Sequence, residues 1–293
     1  MTKVDPSLAA VETPADAPVQ PSQIKAGRNR VRTVAGSILP PLLFGVFLAG
    51  VWYFISYVML DPSRRFLLRP PHQVISVGFL DWDNFSTILE KTWITTQVAV
   101  KGLAIAILIG FTLAMLMSQS KYIERAVFPY AVTLQAIPIL AIVPLIGFWF
   151  GFGDTSRLTV VVIIALFPII VNTLFGLQSA ERGQHDLFTL HHASRWVRLR
   201  KLMFPSALPA IFAGLRISAG LAVIGAIVGD FFFAQGQTGL GQLLRRFALR
   251  LEGEQLLAAI VMSSALGVTV FLLFGVIQDR AIGKWYDARG DTT

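Results

Sequence analysis

Long apolar runs separated by short polar connections organise this chain. Six charge-poor stretches reach the ~20 residues that a helix needs to cross a bilayer. They are Ile38–Leu60, Ile94–Ser118, Ala126–Phe150, Leu158–Ala180, Ala207–Phe233 and Gln255–Gln278. Backbone groups in lipid must bond within their own segment, so each run predicts a helix. A barrel would show short alternating strands instead. The expected fold is therefore all-α and integral to the membrane, with six transmembrane helices over residues 37–285. Prolines punctuate the middle runs: Pro129, Pro138 and Pro144 in the third, Pro168 in the fourth. Each removes a helix hydrogen bond and bends the chain. Bent helices at membrane depth fit where they line a cavity or are buried in protein. Leu134–Gly153 reads as a pathway or interface helix, or as one kinked for packing. Gly225 and Gly229 have the small-xxx-small spacing that lets two helices approach closely.

Composition supports the membrane reading. Apolar residues make up 54% and charged residues 14% of the chain, against about 25% charged in soluble domains. There is no cysteine, hence no disulfide framework and no thiolate metal site. Residues 1–36 are rich in Pro, Ala and polar groups without aromatics, and predict a disordered tail. The net charge is +8, but its placement matters more. With the N-terminus inside, the inner segments hold 15 Lys and Arg and the outer ones 8. The positive-inside rule then places both termini and the 181–206 segment in the cytoplasm.

That segment and the start of the next span read "DLFTLHHASRWVRLRKLMFPSALPAI" (Asp186–Ile211), with two adjacent histidines and four basic residues between Arg195 and Lys201. Adjacent histidines on a helix point about 100° apart, so His191 and His192 make a poor metal pair. Arg195, Arg198, Arg200 and Lys201 precede a span on the inner side, where topology and anionic lipid explain them better than nucleic acid does. Leu187, Phe188 and Leu190 fall at helical spacing, and Pro205 and Pro209 are expected to stop regular structure before the fifth span. The segment suits helix-in-groove docking to a partner. Polar residues inside spans are candidates for a translocation path: Gln135, Asn172, Arg216 and Asp230, with Pro138 at the proline-rich bend. Arg216 can also snorkel to the inner face, and Gln135 and Asn172 can join helices. "GQTGLGQ" (Gly236–Gln242) reads as an outer turn. No residue is given a catalytic or metal-ligating role.

The loop resembles the EAA loop of ABC importer permeases, whose pattern is Glu-Ala-Ala, a glycine after three intervening residues, and an apolar series ending in Leu-Pro. Asp186, Leu187 and Phe188 stand at the Glu-Ala-Ala positions and His192 at the glycine; Ala193 and Pro205 match. "IPILAIVPLIGFWFGFG", "ALFPIIVNTLFGLQS" and "SALPAIFAGLRISAGLAVIGAIVGDFF" are similar to the sulfonate, taurine, nitrate and vitamin-precursor branch. The likeness covers about Leu67–Asp279. It implies a MetI-like fold with cytoplasmic coupling helices in an inner-membrane homodimer. It also implies a cytoplasmic ATPase dimer docked on Asp186, Leu187, Phe188, Leu190, His192, Ala193 and Pro205, and an extracytoplasmic solute-binding protein. Two departures stand out. His192 replaces a glycine that turns the chain between two short helices. Leu187 and Phe188 are bulkier than alanine and ask for a wider partner groove.

The chain has no G-x-x-x-x-G-K-[ST] loop, so ATP is expected on the partner subunit and no cofactor on this one. The implied substrate is a small solute, with the third and fourth spans leaning towards vitamin precursors. The alternative is a secondary carrier or channel not driven by ATP. A membrane enzyme is disfavoured, since His72, His185, His191 and His192 all lie outside the spans.

Overall fold

Caps and prolines decide where the apolar runs become helices. The computed structural model describes residues 29–290, with side chains from 39 to 283. The chain divides into two units, one ending at Val51 and one beginning at Trp52. Helix α1, Asn29–Phe54, passes through that division. Residues 29–36, expected within a disordered tail, are helical; residues 1–28 lie outside the described residues. From Leu39 to Leu48 the large apolar side chains of α1 are exposed.

The second unit opens with irregular turns and α2, Pro71–Ile75. Trp52 Nε1 donates to Arg69 O at 3.0 Å, and Ser56 Oγ to Leu68 O at 2.9 Å. Helix α3, Trp82–Gln119, starts well before the expected span because Asp81 caps it, accepting from Asp83 N at 3.0 Å. Ser120 leaves the helical region, ends α3, and caps α4, Lys121–Ala136. Helix α5 runs Ile139–Phe150, α6 Asp154–Leu177, α7 Arg182–Leu190 and α8 Arg195–Arg198. Helix α9 spans Phe204–Phe232, α10 Leu240–Arg250 and α11 Gly253–Gly290.

Five helices among the described residues are long and apolar enough to cross a membrane. The third expected span, 126–150, is not one kinked helix. It is the α4–α5 pair, bent by 104° at its break, which makes a sixth crossing if counted as one. The break falls at Pro138 alone: Ile137 (ψ 125°) and Pro138 (ψ 105°) both leave the helical region, as a pre-proline residue prefers. Pro129, Pro144 and Pro168 stay inside helices. Nor do Pro205 and Pro209 stop regular structure. A π-helical turn, Leu199–Met203, feeds straight into α9. Pro205 then lies in the first turn of α9, where its missing N–H costs little; Pro209 sits inside the helix.

Helices α6 and α9 pack most extensively, with α3 against both and α10 and α11 against α9. Small residues make this possible. A Cβ on Gly225 would lie 3.0 Å from Val161 Cα, and one on Gly229 3.1 Å from Arg157 Cα. The small-xxx-small pair therefore serves contact between α9 and α6 within this chain. Ser218 Oγ adds a bond to Ala165 O at 2.8 Å. Val98, Leu103, Val161, Ile169 and Val223 fill the core around that seam.

Candidate functional site

Two groups of residues, at opposite ends of α6 and α9, invite a functional reading. The first is the α6–α9 loop. Helix α7 buries none of its residues. Leu187 is 56% and Leu190 76% exposed, and Trp196 in α8 is 67% exposed. Phe188, Ala193 and Pro205 are partly buried and Asp186 is exposed. Of the expected contacts Leu187, Phe188 and Leu190, the two leucines are exposed and Phe188 is partly buried, while Trp196, not among them, adds an exposed indole to the same loop.

His192 makes the turn. Its φ is +48°, the left-handed conformation that glycine adopts freely. Ala193 N donates to Phe188 O at 2.9 Å and His192 N to Thr189 O at 3.0 Å, the paired bonds of a Schellman motif. Ser194 then caps α8, accepting from Val197 N at 3.3 Å. Arg198 Nη2 ties the second helix to the first through Thr189 Oγ1 at 2.9 Å. Two short helices with a sharp turn thus form with histidine in the glycine's place. His191, the other member of the pair, bonds Leu187 O through Nδ1 at 2.9 Å. Because the left-handed region costs a non-glycine residue about 1 kcal/mol, His192→Gly should slow amide exchange over residues 189–194 roughly fivefold. His192→Val should speed it; hydrogen exchange by mass spectrometry reads both, and no change in either would remove the strain argument.

The second group joins Asp230, a candidate from the sequence, to Arg157 and Thr95, which the sequence did not single out. Arg157, read from sequence as an outer-side charge, is fully buried on the first turns of α6. Its Nε donates to Phe233 O at 3.2 Å; Nη2 donates to Phe233 O at 2.8 Å and Gln235 O at 2.9 Å. Nη1 donates to Asp154 Oδ1 at 3.2 Å and to Gln237 O. Every N–H of the guanidinium therefore has an acceptor. Asp230, near the end of α9, is equally buried and stands 3.6 Å from Nε through Oδ1. Its Oδ2 accepts from Thr95 Oγ1 at 2.6 Å, and Thr95 Oγ1 in turn accepts from Leu240 N, the first residue of α10, at 2.8 Å.

Helices α3, α6, α9 and α10 thus meet in one buried polar knot that wraps the 233–239 segment. Its glycines belong to the knot. Gly236 has φ +85°, and a Cβ on Gly239 would collide with Asp230 and Thr95. "GQTGLGQ" is accordingly a turn only to Gly239, and α10 begins at Leu240. A signal was present in the sequence: an Arg immediately before one apolar run and an Asp one turn before the end of an antiparallel one lie at about the same depth.

The remaining path candidates do not converge. Gln135 and Pro138 are exposed at the α4–α5 break. Asn172 bonds within its own helix, Nδ2 to Pro168 O at 2.8 Å, and packs against Gly214 of α9. The Arg216 guanidinium lies 3.9 Å over the Phe271 ring of α11, beside Gly275.

The chain as a whole is similar to known proteins. The model of the family described as "binding-protein-dependent transport system inner membrane component" matches residues 106–284, more than half of the chain. The chain belongs to this family. The permease is 36% identical over 234 residues to the formylaminopyrimidine transport permease protein of Halalkalibacterium halodurans, covering 80% of this chain and 90% of that one. It is 31% identical over 241 residues to the riboflavin transport system permease protein of Chloroflexus aurantiacus, covering 82% and 84%. A crystal structure of an amino acid ABC transporter with histidines shares the fold, at TM-score 0.57 and 19% identity over 69% of this chain and 98% of that one. The permease is thus an inner-membrane transport subunit of the ABC class, with an all-helical, membrane-spanning fold.

Proposed function

We propose that this permease works as a homodimer that imports a small solute, received from an extracytoplasmic binding protein, while a cytoplasmic ATPase dimer drives its α7–α8 loop. The observation that carries the reading is that loop: two short helices joined by a tight turn, with Leu187, Leu190 and Trp196 presented to solvent and nothing of α7 buried. A rigid handle with exposed apolar tips suits a groove on a nucleotide-binding partner. Asp186, Phe188, His192, Ala193 and Pro205 shape that handle. The chain itself carries no cofactor and performs no chemistry; ATP is bound and hydrolysed by the partner. Both termini and the loop face the cytoplasm, and anionic lipid meets the basic residues from Arg195 to Lys201. Heteroaromatic vitamin precursors are the favoured solute class, because relatives transporting formylaminopyrimidine and riboflavin are 36% and 31% identical. Gln135 and Pro138, at the α4–α5 break, are the favoured path residues; Asn172, Arg216 and Asp230 lie deeper in contacts between helices.

Uptake into proteoliposomes tests this. The permease, its ATPase and a binding protein should import a solute from a panel of pyrimidines, flavins, sulfonates and nitrate only when ATP is present. A cysteine at Leu190 should cross-link to the ATPase. Uptake that persists without ATP and without the ATPase would replace this reading with a secondary carrier.

A further inference from the structure

The buried knot has a consequence for the surface beside it. The knot sets the start of α10: Thr95 holds Leu240 N, and a Cβ on Gly241 would collide with the backbone of α9 at Ile227 O and Phe231 N. Leu240, Leu243 and Phe247 bury the inner face of the helix. Its outer face is cationic. Arg245, Arg246 and Arg250, with Lys91 of α3, line a cavity of about 390 Å³ that also takes in Gln242 and Leu249. Glu90 pairs with Lys91 at 2.9 Å and Glu252 reaches Arg250 at 3.9 Å. Arg245 and Arg246 have no carboxylate within ion-pair distance among the described residues.

Apolar groups accompany these charges. Leu249 is 76% and Leu251 65% exposed, and Leu251 is held at φ +59°, a conformation uncommon for leucine. Gln242, Arg246 and Arg250 recur every four residues, so the stripe extends about 12 Å along the helix. A single small anion needs one convergent cluster. Spaced guanidiniums beside exposed apolar groups match a protein interface, in which arginine is enriched and the partner covers apolar surface.

We propose that the α10 stripe, Arg245, Arg246 and Arg250 with Leu249 at its centre, docks an acidic face of the extracytoplasmic binding protein. The knot of Arg157, Asp230 and Thr95 is what holds that stripe in place. Carboxylates of the partner enter the cavity between α10 and Lys91, and the partner covers Leu249 and Leu251. This rests on the importer reading above, which places α10 outside the cell.

The test uses the permease–ATPase complex in phosphatidylcholine proteoliposomes with a panel of the host's extracytoplasmic binding proteins. One of them should stimulate ATP hydrolysis. Its affinity should fall at least about tenfold as salt rises from about 0.05 to 0.5 M. The triple variant R245E/R246E/R250E should bind it at least about tenfold more weakly, chiefly through a slower on-rate. The salt series on the parent needs no variant to fold. Parent-like affinity in the triple variant, or a salt-insensitive parent, would overturn the docking surface while leaving the importer reading intact. So would a triple variant that loses only a preference for phosphatidylglycerol vesicles, which would assign the stripe to lipid. A parent that no binding protein stimulates would overturn both readings.

Discussion

Arg157→Met is expected to destabilise the permease by about 3–5 kcal/mol, because it leaves Asp230 as an uncompensated buried charge. The same change orphans the carbonyls of Phe233, Gln235 and Gln237, which now share one guanidinium. Each unmet group adds on the order of 1 kcal/mol. In detergent the melting temperature should fall by on the order of 10 °C. Arg157→Lys should rescue little, since an ammonium is a compact charge and lacks the planar fork that reaches several acceptors at once. Asp230→Asn alone should cost less, and combined with Arg157→Met it should recover part of the loss by removing the stranded charge. The double-mutant cycle reads that coupling directly. A melting temperature within about 2 °C of the parent for Arg157→Met would show that the knot contributes little.

The second large effect is on activity. Leu187→Asp combined with Leu190→Asp should leave the permease folded, because both side chains are mostly exposed and α7 buries nothing. On the proposed reading the same pair should lower ATPase association by about 100-fold or more, since apolar anchors at an interface each contribute about 2 kcal/mol. ATP-driven uptake should fall in parallel, and co-purification with the ATPase reads the loss independently of any solute. Unchanged association would mean that the ATPase grips some other part of the chain. Trp196→Ala is the informative companion, because that residue belongs to the same exposed surface on geometric grounds alone.

Local pattern determined a good deal of this molecule. The placement of the spans was legible because a helix crossing ~30 Å of hydrocarbon needs ~20 apolar residues, whatever it packs against. The likeness of the Asp186–Pro205 loop to a coupling loop was legible because it is a matter of residue types in order. So was the close-packing pair Gly225 and Gly229, although its partner, α6, was not. The loop left one question, whether histidine could stand at the turn, and backbone bonds to Phe188 and Thr189 decided it.

What tertiary structure decided concerns choices of nearly equal local energy. Proline at 129, 138, 144, 168 or 209 would impose the same local cost, about 3 kcal/mol inside a helix. Only packing determines that Ile137–Pro138 opens into a 104° break while the others are held helical. Arg157 is the sharper case. In sequence it is a cation at the edge of a span, where solvation is the default. Its burial depends on three carbonyls about eighty positions away and on an aspartate from another helix. A charge can be desolvated only when all its donors and its counter-ion are met together. That condition is a property of α3, α6, α9 and α10 assembled, which no single stretch of the chain contains.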